Sequence, residues 1–296
     1  MPLHDATLTP EFCDRWRELL RRLYGYRFDG PFAVVPTLTG RRVLTHLPLL
    51  SYTALRRAEA EGLVREAGRR PYQIRVLNPD YHDFRKNDTV TMRIDLRKES
   101  LDAVHAGIAS RTRRYLREVE RQDFTLRTGS DARLVRDFYR AFSDVMHRLG
   151  TPVFPLRLFE LLTELLQARY YVVYRGETVA AAAVTVHDEE IAWVPWSGTV
   201  AAFLEDRPGL LMYWRAIQEA HAAGRTIFDY GRSGYESGTY EFKTRWGAVP
   251  VKIDILTPRP QNVYSKYELA SDLWKRLPRA VAGTVGPFLC RYLPDL

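Results

Sequence analysis

The sequence predicts an α+β fold in which two similarly ordered regions each form a mixed, mostly antiparallel sheet flanked by helices. Three observations predict it. A length of 296 residues favours two domains over one. Helical and extended patterns recur in the same order in both halves, although the residues themselves do not repeat. Residues 170–199 break twice at turn-forming residues, which marks a meander of three antiparallel strands.

The first region begins with a helical pattern over Phe12 to Tyr24. Two extended runs follow in "PFAVVPTLTGRRVLTHLPL", joined at Thr39-Gly40-Arg41, a hairpin signal. "YTALRRAEAEGLVREAG" has helical spacing and stops at a glycine, and "YQIRVL" and "TVTMRIDL" read as strands. A basic helical segment, "ASRTRRYLREVERQ", links the regions. The second region opens on "DARLVRDFYRAFSDVMHRLG", where Leu134, Phe138, Phe142 and Met146 recur every four residues and make one continuous apolar face. The meander comes next, broken at Arg175-Gly176-Glu177 and His187-Asp188-Glu189. "GLLMYWRAIQEAHAAG" is an amphipathic helix ending on Gly224, and "TIFDYGRS" and "VPVKIDIL" are strands. The expected division is residues 1–122, 123–256 and a C-terminal tail, 257–296, with a docking helix. Prolines at 278 and 287 are expected to break any long amphipathic helix in that tail, so docking on the body is favoured over contact with a membrane surface.

Composition narrows the function classes. With 46% hydrophobic and 27% charged residues the chain reads as globular. The 44 Lys and Arg against 36 Asp and Glu give a net charge of +8, which suits an anionic partner such as nucleic acid, a phosphate-bearing ligand or an acidic membrane surface. Two cysteines, Cys13 and Cys290, make neither a disulfide framework nor a zinc site, and the seven histidines lack ligand spacing, so no metal is expected. Neither G-x-S-x-G nor a Walker-type loop occurs, which removes the common serine hydrolases and P-loop enzymes. No basic segment followed by an apolar run opens the chain, and no stretch reaches the roughly 18 apolar residues that span a bilayer. The expected location is the cytoplasm, with peripheral contact at the inner membrane face as the alternative.

The stretch "IFDYGRSGYESGTYEFKTRWGAVPV", Ile227 to Val251, mixes a buried-looking strand end, a glycine-punctuated turn and a short charged and aromatic segment. Together with "RLGTPVFPLRLFELL" (Arg148 to Leu162) and "YELASDLWKRLP" (Tyr267 to Pro278), it resembles the FemAB family of tandem GNAT-fold aminoacyl and acyl transferases, in particular the branch associated with exopolysaccharide and protein-sorting clusters. The order helix, meander, helix, strand, helix, strand is also that of a GNAT-type acyltransferase domain. The resemblance implies two GNAT-like domains with an acceptor cleft between or beside them. It further implies transfer of an activated group, as when family members move an amino acid from aminoacyl-tRNA onto an amine of a cell-wall precursor. In the family a Phe-Lys pair serves the aminoacyl end and the reaction centre, and Phe242 and Lys243 match it. The chain has no counterpart of the coiled-coil insertion that better-known members use for tRNA, so acyl-CoA stays open as the alternative donor.

Acyl transfer to an amine passes through a tetrahedral oxyanion, and a fixed cation aimed at that oxygen is the largest catalytic need. Lys243, flanked by Phe242 and Trp246, is the candidate; its bland alternative is a surface lysine at a helix start. Asp229 either anchors the turn or acts as base toward the amine. Arg232 binds a carboxylate or phosphate, or pairs with Asp229 or Glu236. Tyr240 donates to the acyl carbonyl or packs. Arg148 and Phe154, in a proline-fixed loop after Gly150, are candidates for lining the acceptor pocket. Trp193 and Trp196, three apart on a strand, are expected on opposite faces, with Trp196 the candidate for the cleft floor. The loop "LEDRPGLLMYW" disfavours a CoA pyrophosphate, because Glu205 and Asp206 are acidic, Pro208 lacks a donor and Arg207 is the only compensating charge. Arg111, Arg113, Arg114, Arg117 and Arg121 face phosphates or only solvent. The reading is an amide-forming transferase of FemAB type with no bound cofactor, taking its group from aminoacyl-tRNA and passing it to an amine of a cell-wall precursor, glycan or peptide. An acyl-CoA-dependent N-acyltransferase is the enzymatic rival. A non-catalytic basic scaffold that binds RNA or anionic glycan is the rival from another class.

Overall fold

The computed structural model describes residues 6–98, 100–258 and 271–293. Helix α1 (Pro10–Tyr24) starts where the Thr9 side chain accepts the Phe12 N–H, with Pro10 at its first position, and it ends at Gly25 in the left-handed region. Strands β1 (Arg27–Asp29), β2 (Phe32–Pro36) and β3 (Arg42–His46) follow. Next come helix α2 (Arg57–Ala67), β4 (Tyr72–Asn78) and β5 (Thr89–Asp95). Helices α3 (Leu101–Ala106) and α4 (Ser110–Val119) lead to β6 (Phe124–Gly129), α5 (Ala132–Leu149) and α6 (Leu156–Leu166). The meander is β7 (Arg169–Arg175), β8 (Thr178–His187) and β9 (Ile191–Thr199), succeeded by α7 (Gly209–Ala222), β10 (Ile227–Gly234), α8 (Gly238–Thr244) and β11 (Val249–Leu256).

Three local expectations change. The helix expected from Tyr52 begins only at Arg57, because residues 47–53 form a buried loop whose Leu47 and Leu49 sit at φ 48° and 71°. Strand β6, whose alternating half-burial gives a weak pattern, was not expected and pairs antiparallel with β7. In the tail, a helix runs from Arg279 to Cys290 straight through Pro287. The start of the tail motif, residues 267–270, lies outside the described residues.

All strands among the described residues join one 11-stranded sheet in the order β1-β2-β3-β4-β11-β5-β10-β9-β8-β7-β6. Each half contains a meander, a helix and one strand parallel to the meander's last: β3 with β4, and β9 with β10. The halves then exchange their final strands. β5 lies beside β10 of the second half, and β11 lies beside β4 of the first. The sheet divides the core. On one face Trp16, Phe138, Phe142, Phe159 and Trp193 are buried together, and on the other Tyr171, Ile217, Phe228, Tyr230 and Trp246. β8 carries four consecutive alanines because α5 and α7 cover it from both sides. Among the described residues no helix is long and apolar enough to cross a membrane.

Candidate functional site

The site grows out of a fork in the sheet. β9 and β10 pair only at Ile191↔Ile227, Ala192↔Phe228 and Trp193↔Asp229. Beyond that point β9 stays with β8, while Arg232 to Gly234 of β10 stay with β5. Both strands carry one extra residue at the fork. Against β8, Val186 faces Trp193 but Val184 faces Trp196; against β5, Arg93 faces Asp229 but Thr91 faces Arg232. Each extra residue is a bulge, which bends its strand and ends the pairing.

The β9 bulge corrects the expectation for the two tryptophans. The extra residue restores phase, so Trp193 and Trp196 share a face with ring centres 6.2 Å apart. Trp196 is half-buried and packs on Phe154 and Phe159 at 5.3 and 5.5 Å. Phe154 is itself buried between Phe142 and Trp196 and belongs to the core. Arg148 is exposed and donates from Nη2 to the Thr199 carbonyl at 3.3 Å, at the diverging end of β9.

The β10 bulge is held by two charged side chains. Gly231 sits at φ 71°, and a Cβ there would come within 3.2 Å of the Trp193 indole nitrogen, so both conformation and space favour glycine. Asp229 has no exposed surface, and its carboxylate accepts from Tyr52 Oη (2.8 Å), Thr91 Oγ1 (2.6 Å), Arg93 Nε (3.0 Å) and the Gly231 N–H (2.7 Å). Four donors on a buried carboxylate favour its reading as the turn's anchor over that of a base. Lys243 lies in the last turn of α8, whose N-cap Ser237 accepts the Tyr240 N–H. It is 8% exposed, unlike a surface lysine. Its ammonium donates to the carbonyls of Gly231 (3.0 Å) and Arg232 (2.7 Å). Burial lowers its pKa to about 7, with Asp229 opposing the shift and Arg232 adding to it.

Aromatic rings wall this point. Phe242 and Trp246 stand 5.4 and 6.0 Å from Tyr213 of α7, and Tyr230 is 6.4 Å from Trp246. Tyr213 Oη and Ser197 Oγ share a 2.6 Å hydrogen bond, which joins α7 to the free part of β9. The hydroxyl of Tyr230 and the indole nitrogens of Trp193 and Trp246 are buried with no hydrogen-bond partner. Tyr240 packs on Tyr235 at 4.8 Å, and Tyr235 stacks on Phe84 at 5.0 Å. The structure thus gathers Lys243, Asp229, Arg232, Phe242, Tyr240 and Trp246 around β10 and α8, and places Trp196, Phe154 and Arg148 around β9 and α5. Two shallow cavities, of about 450 Å³ at α1 and β8 and about 260 Å³ between α4 and α7, are lined by none of these nine residues.

The start of α7 differs from the sequence expectation. Asp206 is paired with Arg175 at 2.9 Å, and Arg207 is not alone. The guanidinium groups of Arg207, Arg114 and Arg111 lie 4.2, 5.1 and 5.4 Å from the centre of one ring, Tyr115. Arg111 also donates to the Tyr115 hydroxyl at 2.9 Å, which lowers that phenol's pKa. Gly209 abuts Thr199, so this cationic cluster borders the end of β9. Sequence reasoning missed Tyr52, Thr91, Arg93, Tyr213 and Tyr115. Of these only Arg93 carried a local signal, a charge in the middle of an apolar strand.

Residues 107–244 match the family model described as the acetyltransferase (GNAT) domain. The crystal structure of FemX superimposes with a TM-score of 0.58 at 11% identity, over 91% of this chain and 96% of that one. The C-terminal domain of a protein described as a lysylphosphatidylglycerol synthetase, from Agrobacterium fabrum, gives 0.50 at 11% identity, over 89% and 95%. No curated protein matches the chain in sequence. Residues 107–244 thus match a GNAT acetyltransferase domain, and the chain as a whole has the fold of FemX.

Proposed function

We propose that the chain is an amide-forming transferase of FemAB type, which moves an aminoacyl group from aminoacyl-tRNA to an amine of a cell-wall, exopolysaccharide or peptide acceptor. The observation that carries this reading is Lys243, a buried ammonium fixed on the bulge that forks the sheet. An ammonium has three N–H groups, and two go to the Gly231 and Arg232 carbonyls. The third supports the oxyanion that forms as the acceptor nitrogen adds to the ester carbonyl. That addition forms the C–N bond, and collapse of the intermediate restores the carbonyl and breaks the C–O bond to the donor. The amine proton leaves with the released hydroxyl or to solvent. Asp229, saturated by its four donors, keeps the bulge and with it Lys243 in place.

One observation favours the acyl-CoA rival. The three arginines on Tyr115, beside the start of α7, supply the cationic charge that a donor's phosphates need. Turnover with radiolabelled aminoacyl-tRNA, run beside acetyl-CoA and a panel of amine acceptors, separates the two. Transfer from aminoacyl-tRNA alone supports the proposal. Transfer from acetyl-CoA alone replaces it with the N-acyltransferase reading, and no transfer from either favours the scaffold.

A further inference from the structure

The C-terminal helix, Arg279–Cys290, buries one narrow face and leaves the other open. Ala282, Gly286 and Cys290 pack inward, with Gly286 against Val153 and Cys290 Sγ on the Val153 carbonyl at 3.3 Å. Outward, Val281, Val285 and Phe288 are 44%, 38% and 59% exposed at spacings of four and three, which aligns them on one stripe. From Ala280 to Cys290 no charged residue occurs. The Thr284 hydroxyl is bonded to the Ala280 carbonyl of its own helix at 2.9 Å. Leu273 and Leu149 are also exposed on the adjoining segments, where Ser271 of the helical segment 271–276 donates to the Leu149 carbonyl. Five of the eight strongly exposed large apolar residues among those described therefore lie in this region.

Charge frames the stripe. Residues 271–293 contain four basic side chains, Lys275, Arg276, Arg279 and Arg291, and one acidic, Asp272; Lys275 is paired with Asp272 at 3.1 Å, Arg279 with Asp144 at 2.9 Å, and Arg291 donates to the Tyr24 carbonyl at 3.1 Å, while Lys275, Arg276 and Arg279 stay exposed. We propose that this face docks on an anionic lipid bilayer, with Val281, Val285 and Phe288 entering the headgroup boundary and the basic residues contacting lipid phosphates. A second copy of the chain is a poorer occupant, because a two-fold contact through this stripe would set the exposed Lys275, Arg276 and Arg279 against the same cations of the other copy, with only Asp272 and Asp144 to offset them. The tail helix docks on the body as the sequence led one to expect, and Pro278 separates it from the segment before it, but Pro287 does not end the helix, so the outward stripe stays continuous.

Docking there would also set the fork near the bilayer, because the loop beneath the helix carries Phe154, which packs on Trp196 of β9. That consequence rests on the acyl-transfer reading, whereas docking itself does not. The test is co-sedimentation of the full chain, without substrates, with phosphatidylglycerol vesicles and with phosphatidylcholine vesicles, at low and high salt. The wild type is expected to bind the phosphatidylglycerol vesicles preferentially and more weakly at high salt. The double variant Val285→Ser/Phe288→Ser is expected to bind about tenfold more weakly with unchanged circular dichroism and Tm. Arg276→Glu is expected to weaken binding mainly at low salt. Equal binding by wild type and double variant overturns the proposal, as does absence of binding to phosphatidylglycerol vesicles. A dimer abolished by the same double variant, without vesicle binding, would assign the face to a second copy instead.

Discussion

Asp229 and Lys243 share Gly231: the carboxylate of Asp229 accepts its N–H at 2.7 Å, and the ammonium of Lys243 donates to its carbonyl at 3.0 Å. One residue of the β10 bulge is therefore clamped from both its polar groups. Since the bulge is where β10 leaves β9, the clamp fixes the shape of the fork.

Replacing Lys243 separates its two duties. Lys243→Met keeps the volume and removes the charge. Turnover is expected to fall on the order of 100- to 1,000-fold, the cost of one lost oxyanion donor. Burial of a neutral chain offsets much of the lost hydrogen bonding, so the Tm is expected to stay within a few degrees of wild type. A variant that loses activity only by unfolding would refute the catalytic role.

The pH dependence follows from the same lysine. Its pKa lies near 7 when folded, against an ordinary value of 10.5. Below about 7 the third N–H is present, and above it that donor is lost, so kcat is expected to decline on the alkaline side. Between about 7 and 10.5 the unfolded chain binds more protons than the folded one, so this group makes stability rise with pH by up to about 1 kcal/mol per unit. Activity and stability should therefore move in opposite directions above pH 7. A kcat profile beside urea midpoints checks this, with Lys243→Met as the control that lacks the stability slope.

The ion pair between Arg93 and Asp229 has no exposed surface on either side chain. Asp229→Asn removes the counter-charge of a buried guanidinium and is expected to cost about 3–5 kcal/mol in urea unfolding. The double variant Arg93→Met/Asp229→Asn is expected to cost less than the sum of its singles, because no uncompensated charge is left. Additive losses would show that the two side chains do not act as a pair.

Arg111, Arg114 and Arg207 converge on Tyr115. The double variant Arg111→Gln/Arg207→Gln is expected to raise KM for a phosphate-bearing donor about tenfold or more, to leave kcat nearly unchanged and to flatten the salt dependence of KM. An unchanged KM would reduce the cluster to a solvated surface.

Much of the fold was legible in the sequence. Period-four spacing in α5, the two turns of the meander and the glycine stops of α5 and α7 are local signals, and each of these elements formed where its pattern stood. β6 was missed because its side chains alternate only between half-buried and exposed. Pro287 misled because a proline near a helix end removes one backbone bond without ending the helix when neighbouring contacts hold it. At the site, the run from Asp229 to Trp246 drew attention because charge, glycine and aromatics are crowded within one strand–turn–helix.

The sequence by itself determined the element types, their repeated order and the position of the Phe242–Lys243 segment, because these depend on neighbours a few residues away. Only the tertiary structure decided which strands meet, and with that which residues gather at the candidate site. The exchange of β5 and β11 carries Thr91 and Arg93 from the first half to Asp229 of the second. Two bulges, which add one residue each against their partner strands, turn Trp193 and Trp196 to the same face and open the fork. Burial, which no local pattern of a Phe-Lys pair reveals, gives Lys243 its lowered pKa. The three arginines around Tyr115 come from segments about ninety residues apart, so their shared charge arises only when α4 folds beside the start of α7.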